Sequence, residues 1–146
     1  MRVLWVCNIM LPVIAQALQR ECSNKEGWLT GLMDALIKDN SQVELGVAFP
    51  IALGEELLKG STQGIHYYGF RENTIKPEVY DPALEQDMQE ILQDFQPDLL
   101  HCFGTEYPHT LAAVRAYNRP DRTLIGIQGL CAVYADAYML ALIHIS

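Results

Sequence analysis

Pro97-Asp98-Leu99-Leu100-His101-Cys102-Phe103-Gly104-Thr105-Glu106-Tyr107-Pro108-His109 reads as a short buried strand that stops at a glycine. A polar loop follows, and Pro108 opens a helix, because proline is pre-organised for the first helical position. In an open α/β sheet, ligands bind at such strand ends, in the crevice where the strand order reverses. The loop Gly104 to Tyr107 is therefore expected to form one wall of a ligand cleft.

On the amino-terminal side of this stretch, Asp81-Pro82 is a helix start, with an Asp cap and proline at the first position. Leu84, Met88, Ile91, Leu92 and Phe95 then mark a buried face, and Gln96-Pro97-Asp98 stops the helix. On the other side, Pro108 to Tyr117 is a helix that packs Leu111, Ala112 and Val114. Asn118 to Asp121 is a turn. Thr123 to Ile127 is a strand with Gln128-Gly129 at its carboxyl end, and an apolar helix is expected from about Ala132 to Ile143.

Further out, Val3 to Ile9 is a nearly continuous apolar run that reads as a strand buried on both faces, with Asn8 the polar residue at its end. Met10 to Glu26 is a 17-residue connection, where strand-to-helix loops usually take about 2–6. An excess of that size is usually functional or disordered. This segment is not low-complexity, which points to function, with a short helical turn over Val13 to Arg20. Gly27-Trp28 opens a helix whose apolar stripe is Trp28, Leu29, Leu32, Met33, Leu36 and Ile37. Val43 to Phe49 alternates as strand two. Pro50 to Gln63 is a mixed connection with one helical turn over Glu55 to Lys59, and Gly64 to Phe70 is strand three, near an edge, holding a structural His66.

Strands that alternate with helices imply a parallel sheet covered on both faces. The expected class is a single Rossmann-like, doubly wound α/β domain over residues 1–146, with strand order 3-2-1-4-5. The reversal then falls between strands one and four. The loops beside it are Asn8 to Gly27 and Gly104 to Tyr107, with Gln128-Gly129 alongside.

Composition narrows the chemistry. The chain has 146 residues, half of them hydrophobic, which is enough for a core of its own. A net charge of −8 disfavours nucleic-acid binding, which needs a basic footprint. The ten Lys and Arg residues are scattered, which disfavours a strong anionic-membrane patch. Ala137 to Ile145 is too short to span a bilayer, so any membrane association is expected to be peripheral. Four cysteines without a C-x-x-C pair, and no secretory signal, suggest a cytoplasmic protein with reduced thiols. Cys7 and Cys102 read as small buried hydrophobes.

His101, Cys102, Glu106 and His109 lie within nine residues. Residues 101 and 102 point to opposite faces of a strand, so no metal site is expected. Glu106 is either a residue favoured by the helix dipole or, with Thr105, a ligand for substrate hydroxyls. His101 reads as orienting or structural. Gly27 either lets the helix begin under the loop or brings a bare amide to an anion or sugar. There is no G-x-G-x-x-G after strand one, no phosphate-binding G-x-x-x-x-G-K-[ST], and no G-x-S-x-G elbow.

Four pieces carry a family resemblance: Arg2-Val3-Leu4-Trp5-Val6-Cys7-Asn8-Ile9, the Gly27-Trp28-Leu29 helix start, the stretch Pro97 to His109, and Ile125-Gly126-Ile127-Gln128-Gly129-Leu130. Spread along the whole chain and in this order, they resemble the amino-terminal half of family 4 glycosyltransferases of the GT-B type, in the subgroup that serves bacterial surface polysaccharide assembly. The resemblance implies a Rossmann-like domain that mainly carries the acceptor. It implies a hexosyltransferase-type enzyme that moves a sugar from a nucleotide-activated donor to a hydroxyl of a carbohydrate acceptor, without a metal or other cofactor and usually with retention. The loop after strand one would lie near the donor phosphates; it reads Lys25-Glu26-Gly27, with one glycine where the family often has two. Many relatives place a histidine just after strand five, where this chain has Gln128, whose amide bonds a hydroxyl but cannot act as a base.

The substrate-binding candidates are thus Asn8, Gly27, Trp28, Gly104, Thr105 and Glu106, with Gln128 and Gly129 across the cleft. No catalytic residue is assigned. The family's second, nucleotide-sugar domain is not in this sequence, so the 146-residue chain is expected to lack transferase activity by itself. Two other readings are a non-catalytic binding or dimerisation module, self-associating through a face left bare near Ala137 to Ile145, and an unrelated flavodoxin-like nucleotide-binding domain.

Overall fold

A computed structural model describes residues 1–22, 27–39, 42–73, 75–76 and 78–127. The expected helix over Ala132 to Ile143, the apolar segment to Ile145, and Gln128 and Gly129 lie outside the described residues.

Among the described residues, six strands and four α-helices follow one another along the chain. The order is β1 (Arg2–Val6), α1 (Pro12–Leu18), α2 (Gly27–Lys38), β2 (Glu44–Ile51), β3 (Leu58–Thr62), β4 (Ile65–Arg71), α3 (Pro82–Phe95), β5 (Leu99–Phe103), α4 (Pro108–Tyr117) and β6 (Thr123–Gly126). They form one sheet in the order β3-β4-β2-β1-β5-β6. All neighbours are parallel except β3 and β4. This is a mostly parallel α/β sheet, compatible with a Rossmann-like fold.

The arrangement differs from the sequence expectation at one edge. Leu58–Thr62 is an antiparallel strand where a helical turn over Glu55 to Lys59 was expected, and it moves β4 from near the edge to the interior. The cause is the turn. Gln63 and Gly64 have φ of 50° and 78°, and two consecutive positive φ angles match the twist of a two-residue hairpin. Strand β2 also runs past Phe49 through Pro50 to Ile51. Proline is tolerated there because pairing with β1 has already ended at Val6 and Ala48.

Strand alternation sorts the core into two layers. Val3, Trp5 and Cys7 join Leu45, Val47, Phe49 and Phe103 on one face, against Leu11 and Ile14 of the α1 segment and Leu29 and Met33 of α2. Leu4, Val6, Ala48, Leu100 and Cys102 face the other way, against Leu84, Met88, Ile91 and Phe95 of α3 and Ala112 and Ala113 of α4. Each fully buried Leu, Ile or Phe contributes roughly 2 kcal/mol of transfer free energy. Gly46 of β2 makes room for Phe95, since a Cβ there would stand 3.0 Å from the ring.

Local signals fix the helix ends. The Asp81 carboxylate accepts from the Ala83 amide at 2.9 Å and caps α3. Helices α1, α3 and α4 end on Gln19, Gln96 and Asn118, each with positive φ. Below the sheet, at its amino-terminal end, Arg2 pairs with Glu44, which also bonds His66 at 2.8 Å. His66 is therefore tied into the strand framework.

Candidate functional site

Strand order reverses between β1 and β5, so their carboxyl ends flank the crevice. Asn8 lies just beyond β1. The Cys7 amide still bonds the Ala48 carbonyl, which holds the chain straight up to that point. Gly104 lies just beyond β5, and its amide bonds the Gly126 carbonyl at 2.7 Å. At φ 91° Gly104 turns the chain in a way that side-chain-bearing residues rarely adopt. The Thr110 hydroxyl of α4 donates to the Gly104 carbonyl at 2.7 Å and pins the turn.

The turn aims Glu106 back over Gly104, so that its carboxylate lies against the glycine Cα. There it meets Asn8, whose Nδ2 donates to Glu106 Oε2 at 3.3 Å. This bond links the loop after β1 to the loop after β5. Both side chains are only half-buried.

Beneath them sits a polar pair with almost no solvent contact. His109, in the first turn of α4, places one ring nitrogen 2.8 Å from Asn8 Oδ1 and the other 2.6 Å from Glu72 Oε2. The side chains of His109 and Glu72 are 1% and 3% exposed. Phe70 and Tyr107 hold the imidazole from the sides, with ring centroids 5.1 and 5.6 Å away. Glu72 Oε1 is buried with no hydrogen-bond partner. An oxygen left this way is costly, and most buried polar atoms in folded proteins are bonded.

An aromatic cluster borders the same strand ends. Trp28 of α2 is about half exposed and its ring lies 5.7 Å from Phe103. Phe103 stacks on His101 at 4.0 Å and meets Trp5 edge-on at 5.1 Å. Burial pushes the His101 imidazole below its ordinary value and so favours the neutral ring. Burial also pushes the Cys102 thiol up to about 12, as suits a core residue on the opposite face of β5.

The structure thus brings Asn8, Gly104 and Glu106 together, with Trp28 nearby through Phe103. Thr105 is exposed and lines a shallow groove of about 230 Å³ with Tyr107, Leu111 and Ile125. Gly27 is exposed, and a Cβ there would meet no atom within 4 Å among the described residues. The sequence did not single out Glu72, and it marked His109 only as a member of the His101, Cys102, Glu106 and His109 group for which no metal site was expected. The strand-end rule that marked Asn8 and Gly104 also applies to Glu72, which directly follows β4.

A groove of about 540 Å³ lies between β3, β4 and α3. There Tyr68 and Lys59 both donate to the Asp94 carboxylate, at 2.7 and 3.1 Å. At the strand-end crevice, by contrast, the half-buried polar side chains of Asn8 and Glu106 converge. Among the described residues, no cluster of three or more His, Cys, Asp or Glu is placed to hold a metal ion, and no helix is long and apolar enough to cross a membrane. No protein-family model and no curated protein matches the chain.

Proposed function

We propose that the chain is the acceptor-side domain of a nucleotide-sugar-dependent glycosyltransferase of the hexosyltransferase type, acting in polysaccharide assembly. The observation that carries this reading is the Asn8–Glu106 pair across the point where strand order reverses. An amide and a carboxylate side by side offer a donor and an acceptor to vicinal hydroxyls, the chemistry that a sugar ring presents. Trp28 supports the same reading, since a half-exposed indole beside the crevice can cover the apolar face of a sugar. Where they are described, the four stretches that carry the family resemblance cover β1 and the residues just after it, the start of α2, β5 to the first turn of α4, and the end of β6.

The test is ligand-observed NMR on the 146-residue chain with methyl glucosides, galactosides and mannosides. At least one glycoside is expected to show saturation transfer, and Glu106→Ala to weaken its binding about tenfold. Transfer from no glycoside, or binding indifferent to Glu106→Ala, would overturn the reading.

A further inference from the structure

The four polar side chains at the strand ends form one line: Glu72, His109, Asn8, Glu106. Its direction follows from donor chemistry. Asn8 presents its Nδ2 to Glu106, so the amide donates there. The Asn8 oxygen then faces His109 Nε2, which must carry a hydrogen. The remaining ring nitrogen faces Glu72 Oε2 at 2.6 Å. A hydrogen also lies in that contact, on the ring or on the carboxyl group. Every bond from His109 outward therefore donates toward the crevice.

Such a pair is an expensive way to fill a core. Replacing a buried ion pair by packed hydrophobic groups is often neutral or stabilising. Here the cost is raised by the orphaned Glu72 Oε1. What the pair supplies is orientation. An asparagine amide has two ends of similar shape and opposite polarity, and His109 Nε2–H can donate only to its oxygen end. That choice points the amide hydrogens at Glu106, occupies Glu106 Oε2, and leaves Glu106 Oε1, without a hydrogen bond among the described residues, to accept from a ligand.

We propose that Glu72 and His109 are positioning residues, which fix the Asn8 amide and through it the Glu106 carboxylate for a sugar hydroxyl. The ligand class rests on the function proposed above; the positioning chain does not. Neither Glu72 nor His109 reaches the crevice, since both are buried.

The proton arrangement is read on the unaltered chain by long-range ¹H–¹⁵N NMR of the imidazole. His109 Nε2 is expected to resonate as a protonated nitrogen, and the Asn8 side-chain amide to shift in Glu106→Gln. An unprotonated Nε2 would reverse the Asn8 amide and overturn the inference. Two substitutions then split the contacts. His109→Gln keeps a donor near the Nε2 position, whereas His109→Asn reaches only toward Glu72. Glycoside binding is expected within about twofold of wild type in His109→Gln and about tenfold weaker in His109→Asn. Should His109→Gln fail to fold, the double variant with Glu72→Gln replaces it. Equal binding by the two variants, with the Asn8 amide unmoved, overturns the inference. If the imidazole and amide signatures hold but the wild-type chain binds no methyl glycoside, the sugar reading and this ligand role fail, and the hydrogen-bond geometry stands.

Discussion

The Glu106 carboxylate occupies the space that a Cβ on Gly104 would need. The two residues are coupled, although at different cost. A glutamate side chain can swing aside, whereas the φ of 91° at Gly104 is fixed by Thr110 and the strand ladder. Gly104→Ala is therefore expected to lower unfolding free energy by about 1–3 kcal/mol, mostly through backbone strain. It should also break the Asn8–Glu106 bond. Urea unfolding measures the first effect, and the Asn8 side-chain amide resonance reports the second. An alanine variant of unchanged stability would contradict the strained turn.

Asp87 is buried on α3 and accepts three bonds from Arg71: the main-chain amide at 3.0 Å, Nε at 3.1 Å and Nη2 at 2.7 Å. Its carboxylate raises the Arg71 guanidinium further above its ordinary value, by hydrogen bonding first and charge second. Asp87→Ala leaves the amide and the charge without a partner where α3 meets β4. A loss of about 2–4 kcal/mol is expected by chemical denaturation. A loss below about 1 kcal/mol would show that water replaces the carboxylate there.

The Gln63-Gly64 turn places a glutamine at φ 50°. Asparagine tolerates that conformation better than glutamine. Gln63→Asn is expected to stabilise the chain by about 0.5 kcal/mol, and Gly64→Ala to destabilise it by about 1 kcal/mol. Paired thermal melts check both signs, and a stabilising Gly64→Ala would refute the hairpin.

Asp94 accepts from Tyr68 and then from Lys59, and these bonds hold its carboxyl below the ordinary 3.8. A carboxyl depressed in the folded state adds stability above its unfolded pKa, and this stability is lost as pH falls through the folded value. Tyr68→Phe should move the Asp94 titration upward and make stability less sensitive to acid below about pH 4. Carboxyl ¹³C titration of both proteins decides it, and an unmoved Asp94 would rule out the tyrosine as the cause.

The burial that lifts the Cys102 thiol to about 12 also shields it from reagents, whereas Cys22 is exposed. Native alkylation at pH 8 followed by peptide mapping is expected to label Cys22 and spare Cys102. Rapid labelling of Cys102 would place β5 at the surface.

What could be read in the sequence follows from the range of each signal. The apolar run at Val3 to Val6 and the Asp81-Pro82 cap act over a few residues, and β1 and α3 stand where those signals lie. The hairpin was missed because Gln63-Gly64 replaces the usual Asn-Gly, and because Leu58-Lys59-Gly60-Ser61-Thr62 has little apolar alternation. The Glu72–His109 pair was missed for a different reason. Its members are 37 residues apart, and a histidine in the first turn of a helix looks like an ordinary surface residue until α4 is laid on the sheet. Asn8 and Glu106 were marked separately by the strand-end rule, but their bond spans 98 residues and needs the register of β1 with β5.

That span has a consequence for folding. The line from Glu72 to Glu106 draws on segments after β4, β1 and β5, so no local fragment can form it, and the entropy of closing those long loops must be met first. The polar cluster therefore comes into being only once the central sheet is aligned. A ligand held there would bind the native chain and not the unfolded one. It would raise the melting temperature of the whole domain by mass action, not merely stiffen two loops.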